Sequence, residues 1–277
     1  MQRLRKVLLN QERNENMESE LAYKKVAIVT GAAGGIGEAV ARELAKKGMF
    51  IALIDKEGNG LEKLEKELHM EGCDAAAFPL DICDRSAVEQ TVEMIEQEVG
   101  PVEVLVNVAG VMRMGTVDRL QDEDWDEAFA VNSTGVFNLS RTVSKRMIPR
   151  ERGSIVTVGS NAATTPRISL SAYAASKAAA TMFMKCLGLE LAQYNIRCNI
   201  VSPGSTETDM LRMLWKDDTG KDEFIKGVPE SYRLGIPLQK LATPTDIANT
   251  VLFLISDRSS HITMQNICVD GGATLGI

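Results

Sequence analysis

The stretch Val26–Gly48 reads VAIVTGAAGGIGEAVARELAKKG. A short, mostly β-branched run leads straight into the glycine-rich turn Thr30–Gly37, and an amphipathic helical pattern follows at once. Glycines permit a sharp turn and a close approach of backbone to ligand. The helix start adds free N–H groups and the positive end of its dipole. A glycine-rich run alone marks no more than a tight turn. Between a strand and a helix, in the first β–α unit, it predicts a site for the pyrophosphate of a dinucleotide.

The same alternation runs on to the end of the chain. Apolar strands FIALID (50–55), VEVLVN (102–107), SIVTVGS (154–160), IRCNIVSPG (196–204) and ICVD (267–270) are separated by helical patterns, among them 124–147 read as one helix. Continuously apolar strands separated by helices predict an α/β fold, a single doubly wound, Rossmann-like parallel sheet with helices on both faces. No linker interrupts it, so residues 23–277 are expected to form one domain. The irregular stretch 206–238, apolar residues broken by a charged run, suits either a lid over bound ligand or a permanently packed hairpin. Residues 1–22 begin basic and turn polar, with an apolar run too short for a signal peptide; they are expected to be a disordered leader, and Met17 is an alternative start.

A net charge of −7 argues against a nucleic-acid-binding face, and no apolar run reaches the roughly 20 residues that span a bilayer. Cysteines 73, 83, 186, 198 and 268 are odd in number and lack CxxC spacing, which suits reduced packing residues in the cytoplasm. With two histidines in the chain, no metal site is expected.

Within SAYAASKAAA (171–180), a helix of alanines and serines, Tyr173 and Lys177 lie four apart and share a face. Such a pair can be a solvated surface contact. A phenol beside a cation can also be a tuned acid/base, because the cation favours the phenolate. Asp55 ends the second strand, 18 residues after Gly37, where a carboxylate accepts hydrogen bonds from a ribose diol and repels a 2′-phosphate. That favours NAD over NADP, although Lys56 is adjacent.

The spacing Gly31-x3-Gly35-Ile36-Gly37 resembles the TGxxxGIG motif of the short-chain dehydrogenase/reductase family. In chain order, Asp81-Ile82 resembles the family's adenine-contacting segment, and Asn107-Val108-Ala109-Gly110 its NNAG turn. Asn132 matches the active-site asparagine, and Pro203-Gly204 the PG motif after the sixth strand. The resemblance implies catalysis by Ser160, Tyr173, Lys177 and Asn132. Tyr173 is the implied acid/base, and Lys177 lowers its pKa and holds the cofactor ribose. Ser160 donates to the substrate oxygen, and Asn132 holds a water that relays protons. It further implies that the helices bearing Asn132 and Tyr173 pair into a homotetramer, with Phe137, Met182 and Phe183 facing outward.

Longer stretches, such as GVMRMGTVD (110–118), TPRISLSAYAASKAA (165–179) and HITMQNICVDGGATLG (261–276), resemble one branch of that family. Its members oxidise a small anionic cyclohexadiene diol to a catechol carboxylate for siderophore synthesis, using NAD. Arg113 and Arg167 follow strand ends and are the candidate partners of the substrate carboxylate beside Ser160. The rival readings are an acyl-carrier reductase using NADPH, and a dinucleotide-binding regulator. A regulator would usually have lost Ser160, Tyr173 or Lys177, and all three are present.

Overall fold

The computed structural model describes residues 25–213, 215 and 220–276; the expected leader at 1–22 lies outside them. Seven strands form one parallel sheet: β1 (Val26–Thr30), β2 (Phe50–Asp55), β3 (Ala75–Pro79), β4 (Val102–Asn107), β5 (Gly153–Val158), β6 (Ile196–Pro203) and β7 (Asn266–Val269). Their spatial order is β3-β2-β1-β4-β5-β6-β7. Parallel neighbours need crossover connections, and the helical patterns of the sequence supply them. They are α1 (Gly35–Ala45), α2 (Gly58–Met70), α3 (Arg85–Glu98), α4 (Asp122–Phe129), α5 (Val136–Met147), α6 (Ser171–Leu191), α7 (Asp209–Arg212), α8 (Gly220–Lys226) and α9 (Pro244–Ile255).

Successive strand residues point to opposite faces, and both faces are covered. Val26 and Ile28 of β1 pack with Val92 of α3, Leu139 and Val143 of α5 and Met184 of α6. Ala27 and Val29 pack on the other face with Val40 and Leu44 of α1, Leu61 and Leu64 of α2 and Val251 of α9. The doubly wound α/β expectation holds. One helix differs. The stretch 124–147 is two α-helices joined by a π-helical turn, Ala130–Gly135. The Asn132 side chain in that turn bonds groups outside its own helix, which accounts for the widened geometry.

The chain winds outward from β1 to β3, then returns to β4 on the other side of β1. That reversal opens a crevice beyond the carboxyl ends of β1 and β4, the place where open α/β sheets take their ligands.

Candidate active site

The glycine turn forms one wall of the crevice. The Thr30 hydroxyl accepts the N–H groups of Val108 (2.9 Å) and Ala109 (3.0 Å), fastening the end of β1 to the turn after β4. So close is the approach that a Cβ on Gly31, at φ +65°, would lie 2.8 Å from the Ala109 nitrogen. Only glycine is tolerated there. Gly34 gives α1 no side-chain cap, so the first-turn amides of α1 are left without one beside the crevice that Gly35, Ile36 and Gly37 line. Thr30 is a positioning residue that its place in the motif did not distinguish from its neighbours.

Asp55 is fixed from both sides: one carboxylate oxygen accepts Ala33 N–H (3.1 Å), the other Glu57 N–H (3.2 Å). The neighbouring cation does not neutralise it, because Lys56 Nζ lies 3.0 Å from Asp81 instead. Asp81 also accepts Cys83 N–H at 2.9 Å, and that bond, aided by Lys56, holds its carboxyl below the usual range. Gly31, Gly35, Ile36, Gly37, Asp55, Asp81, Ile82, Ala109 and Gly110 line one cavity of about 1330 Å³. Asn107 does not. Its buried amide donates to Ser140 Oγ (3.0 Å) and Thr157 Oγ1 (3.1 Å), bracing β4 against α5 and β5. Its side chain is a buttress beneath the turn.

A second cavity, about 1150 Å³, shares Ile36, Val108 and Gly110 with the first and contains the catalytic candidates. Ser160 lies two residues after the end of β5, and its hydroxyl accepts Ala162 N–H at 3.1 Å, which leaves its own proton to donate. The neighbouring Ser160 hydroxyl favours the Tyr173 phenolate, while burial acts more strongly and holds the phenol above its ordinary value. Lys177 Nζ is 6.0 Å from the Tyr173 ring centre and donates to Val158 O at 2.9 Å. Burial pulls its ammonium down to about 8. Both groups are thus pressed toward neutrality, the condition in which a proton passes readily between them and a substrate.

Asn132 is fully buried. Its amide donates to Val111 O (2.9 Å) and Ser176 Oγ (3.0 Å), and its oxygen accepts Val111 N–H (2.9 Å). Both amide hydrogens are spent, so a water held there must donate to the remaining lone pair of Oδ1. Pro203 and Gly204 line the same cavity, after β6.

The two candidate arginines separate. Arg113 is paired with Glu127 (2.5 Å) and Asp124 (3.5 Å) on α4 and does not line the cavity. Its charge is answered by two carboxylates, and the structure does not bring it together with Ser160 and Tyr173 in that cavity. Arg167 lines the cavity beside Ser160 and Tyr173, half-buried, with no ion pair among the described residues. A third arginine, Arg233, lines it from the segment after α8. The sequence reading passed over Arg233, since no spacing ties it to a motif. Among the described residues, no three His, Cys, Asp or Glu side chains are grouped to hold a metal.

A family model described as short chain dehydrogenase matches residues 25–219. A 2,3-dihydro-2,3-dihydroxybenzoate dehydrogenase of Bacillus subtilis (strain 168) is 61% identical over 91% of this chain and 97% of its own. A namesake in Escherichia coli (strain K12) is 46% identical over 90% and 96%. An actinorhodin polyketide ketoreductase solved with NADPH superposes with a TM-score of 0.83 at 33% identity, covering 90% of this chain and 97% of its own. The glycine turn, the Ser160–Tyr173–Lys177 cluster and these likenesses agree: the chain belongs to the short-chain dehydrogenase family.

Proposed function

We propose that the protein oxidises 2,3-dihydro-2,3-dihydroxybenzoate to 2,3-dihydroxybenzoate with NAD, a step of catecholate siderophore synthesis in the cytoplasm. The supporting observation is the likeness to dehydrogenases of that name, up to 61% identity over nearly the whole chain. The cavity agrees with it, since an unpaired Arg167 beside Ser160 and Tyr173 suits a small anionic diol. Ser160 donates to the substrate C3 oxygen, and Tyr173, as phenolate, takes the hydroxyl proton. The nicotinamide, when bound, accepts the C3 hydride. Lys177 favours the phenolate and holds ribose hydroxyls, and Asn132 positions a relay water. The resulting ketone tautomerises to an aromatic ring, which drives the reaction toward oxidation.

Incubation with NAD and the dihydrodiol acid should yield NADH and catechol carboxylate in equal amounts. A higher specificity constant for a 3-oxoacyl thioester with NADPH overturns the reading in favour of a carrier-protein reductase.

The cofactor choice rests on Asp55, which stays un-neutralised because Lys56 is engaged with Asp81. NAD should bind more tightly than NADP. Asp55→Ala should weaken NAD by roughly 1.5–3 kcal/mol, about 10- to 150-fold, through loss of charge-assisted hydrogen bonds, while NADP gains or holds. Equal parent affinities in a titration followed by NAD(P)H fluorescence reject the assignment.

The working form is a homotetramer. Met182 and Leu189 on α6 are 59% and 69% exposed, and Phe137 meets Phe183 edge-on at 5.6 Å, an apolar face shared by α5 and α6. Closed two-fold symmetry is the usual way to cover such a face. Multi-angle light scattering at micromolar concentration should give four times the monomer mass, and a monomer alone rules the assembly out.

A further inference from the structure

Two arginines line the substrate cavity close enough for their charges to act on each other, and neither has a carboxylate partner within ion-pair distance among the described residues. Arg167 comes from the loop between β5 and α6. Arg233 comes from a small hairpin in which Val228 N–H donates to Arg233 O (2.9 Å) and Arg233 N–H to Val228 O (3.1 Å). Its guanidinium carbon lies over the Phe224 ring, 4.7 Å from the ring centre. A cation held by a ring face keeps its N–H donors for an anion, because the ring accepts none of them as a carboxylate would.

The nearby acids do not answer these charges. Asp270 influences Arg167, but one of its oxygens accepts Gly272 N–H (2.9 Å). The other takes Thr274 N–H (2.9 Å), Thr274 Oγ1 (2.7 Å) and Asn161 Nδ2 (3.3 Å). Glu223 acts on Arg233 less strongly than Arg167 does, and Arg167 acts as a like charge. Burial is the leading influence on both guanidiniums and works against their charge. Two half-buried cations confronting each other are unfavourable until an anion comes between them.

We propose that Arg233 is the second half of the carboxylate receptor: the substrate carboxylate lies between Arg167 and Arg233 and ties the β5–α6 loop to the 228–233 hairpin. The inference rests on the dihydrodiol reading for its substrate class. The anion is not a cofactor phosphate, because the glycine turn and Asp55 line the other cavity, where Arg233 is absent. Arg233 therefore sets specificity for a negatively charged ring, and its engagement waits on ligand.

The test is calorimetric titration of the NADH-loaded protein with 2,3-dihydroxybenzoate and with catechol, its neutral counterpart. Arg233→Met should weaken the carboxylate by about 10- to 100-fold and leave catechol within about two-fold. Arg233→Lys should recover part of the loss, since charge is kept and the fork is not. Unchanged NADH affinity shows that each variant is folded. If the carboxylate ignores Arg233→Met, or both ligands weaken alike, the receptor is overturned while the reaction may be measured separately by NADH release from the diol. Tight carboxylate binding that depends on Arg233, in a protein that does not oxidise the diol, keeps the receptor and overturns the reaction. A parent protein that binds neither ligand overturns both.

Discussion

Tyr173→Phe should lower kcat for diol oxidation by roughly 100- to 10,000-fold, the range for losing a positioned acid/base, with NAD affinity nearly unchanged. The substitution deletes one oxygen from a half-buried ring and leaves its packing alone. What it removes is the hydroxyl on which Ser160 acts, on a ring lying near Lys177. The parent pH profile gives a second readout. The working base is the phenolate, whose fraction grows with pH, so kcat/KM for oxidation should rise with pH from the acid side. Burial holds the phenol up, and bound positive charge at the nicotinamide brings it down, so the limb should appear in complexes with NAD. The residual activity of Tyr173→Phe should lack this limb. A variant retaining a tenth of parental kcat with the same profile would mean that another group takes the proton.

Arg167→Met should cost diol oxidation about 2–4 kcal/mol of transition-state binding, roughly 30- to 1,000-fold in kcat/KM. A small ring offers its hydroxyls and its carboxylate as handles, and Ser160 with Tyr173 claims the reacting hydroxyl. The Arg167 guanidinium lines the same cavity as both, and it has no ion pair among the described residues. A cyclohexadiene diol lacking the carboxylate should lose far less from the same change. Steady-state kinetics on both substrates decides the matter: equal losses would make Arg167 a structural residue. Arg113→Met is the matched control, since its guanidinium is held by Glu127 and Asp124 outside the cavity.

These outcomes follow from features of unequal legibility. The glycine turn, Asp55 and the shared face of Tyr173 and Lys177 could be read because their chemistry is local, whereas Ser160 and the roles of the pair came from the family resemblance. Strand ends, a helix start and a four-residue helical interval place the local features without knowledge of the rest of the fold. The side-chain partners of Asn107 and Arg113 could not be read, for the opposite reason. Asn107 spends its amide on Ser140 and Thr157, 33 and 50 residues away, and Arg113 spends its charge on a helix formed later in the chain. Arg233 was invisible because only the return of the 228–233 hairpin toward the cavity gives it a role. The π-helical turn depended likewise on a bond between Asn132 and Ser176, 44 residues apart.

Lys177 has a consequence for the endurance of the protein as well as for its chemistry. An ammonium brought from 10.5 to about 8 by burial is a thermodynamic burden on the native state, of roughly 3 kcal/mol. Below pH 8 both folded and unfolded chains hold the proton and the burden is complete. Between pH 8 and 10.5 the unfolded chain binds more protons, so this residue's contribution to stability improves as pH rises. The unliganded enzyme near neutrality therefore stands several-fold in kBT below the stability its sheet could provide, at the position on which turnover depends. The lysine on which turnover depends is thus held at the expense of stability in the unliganded protein.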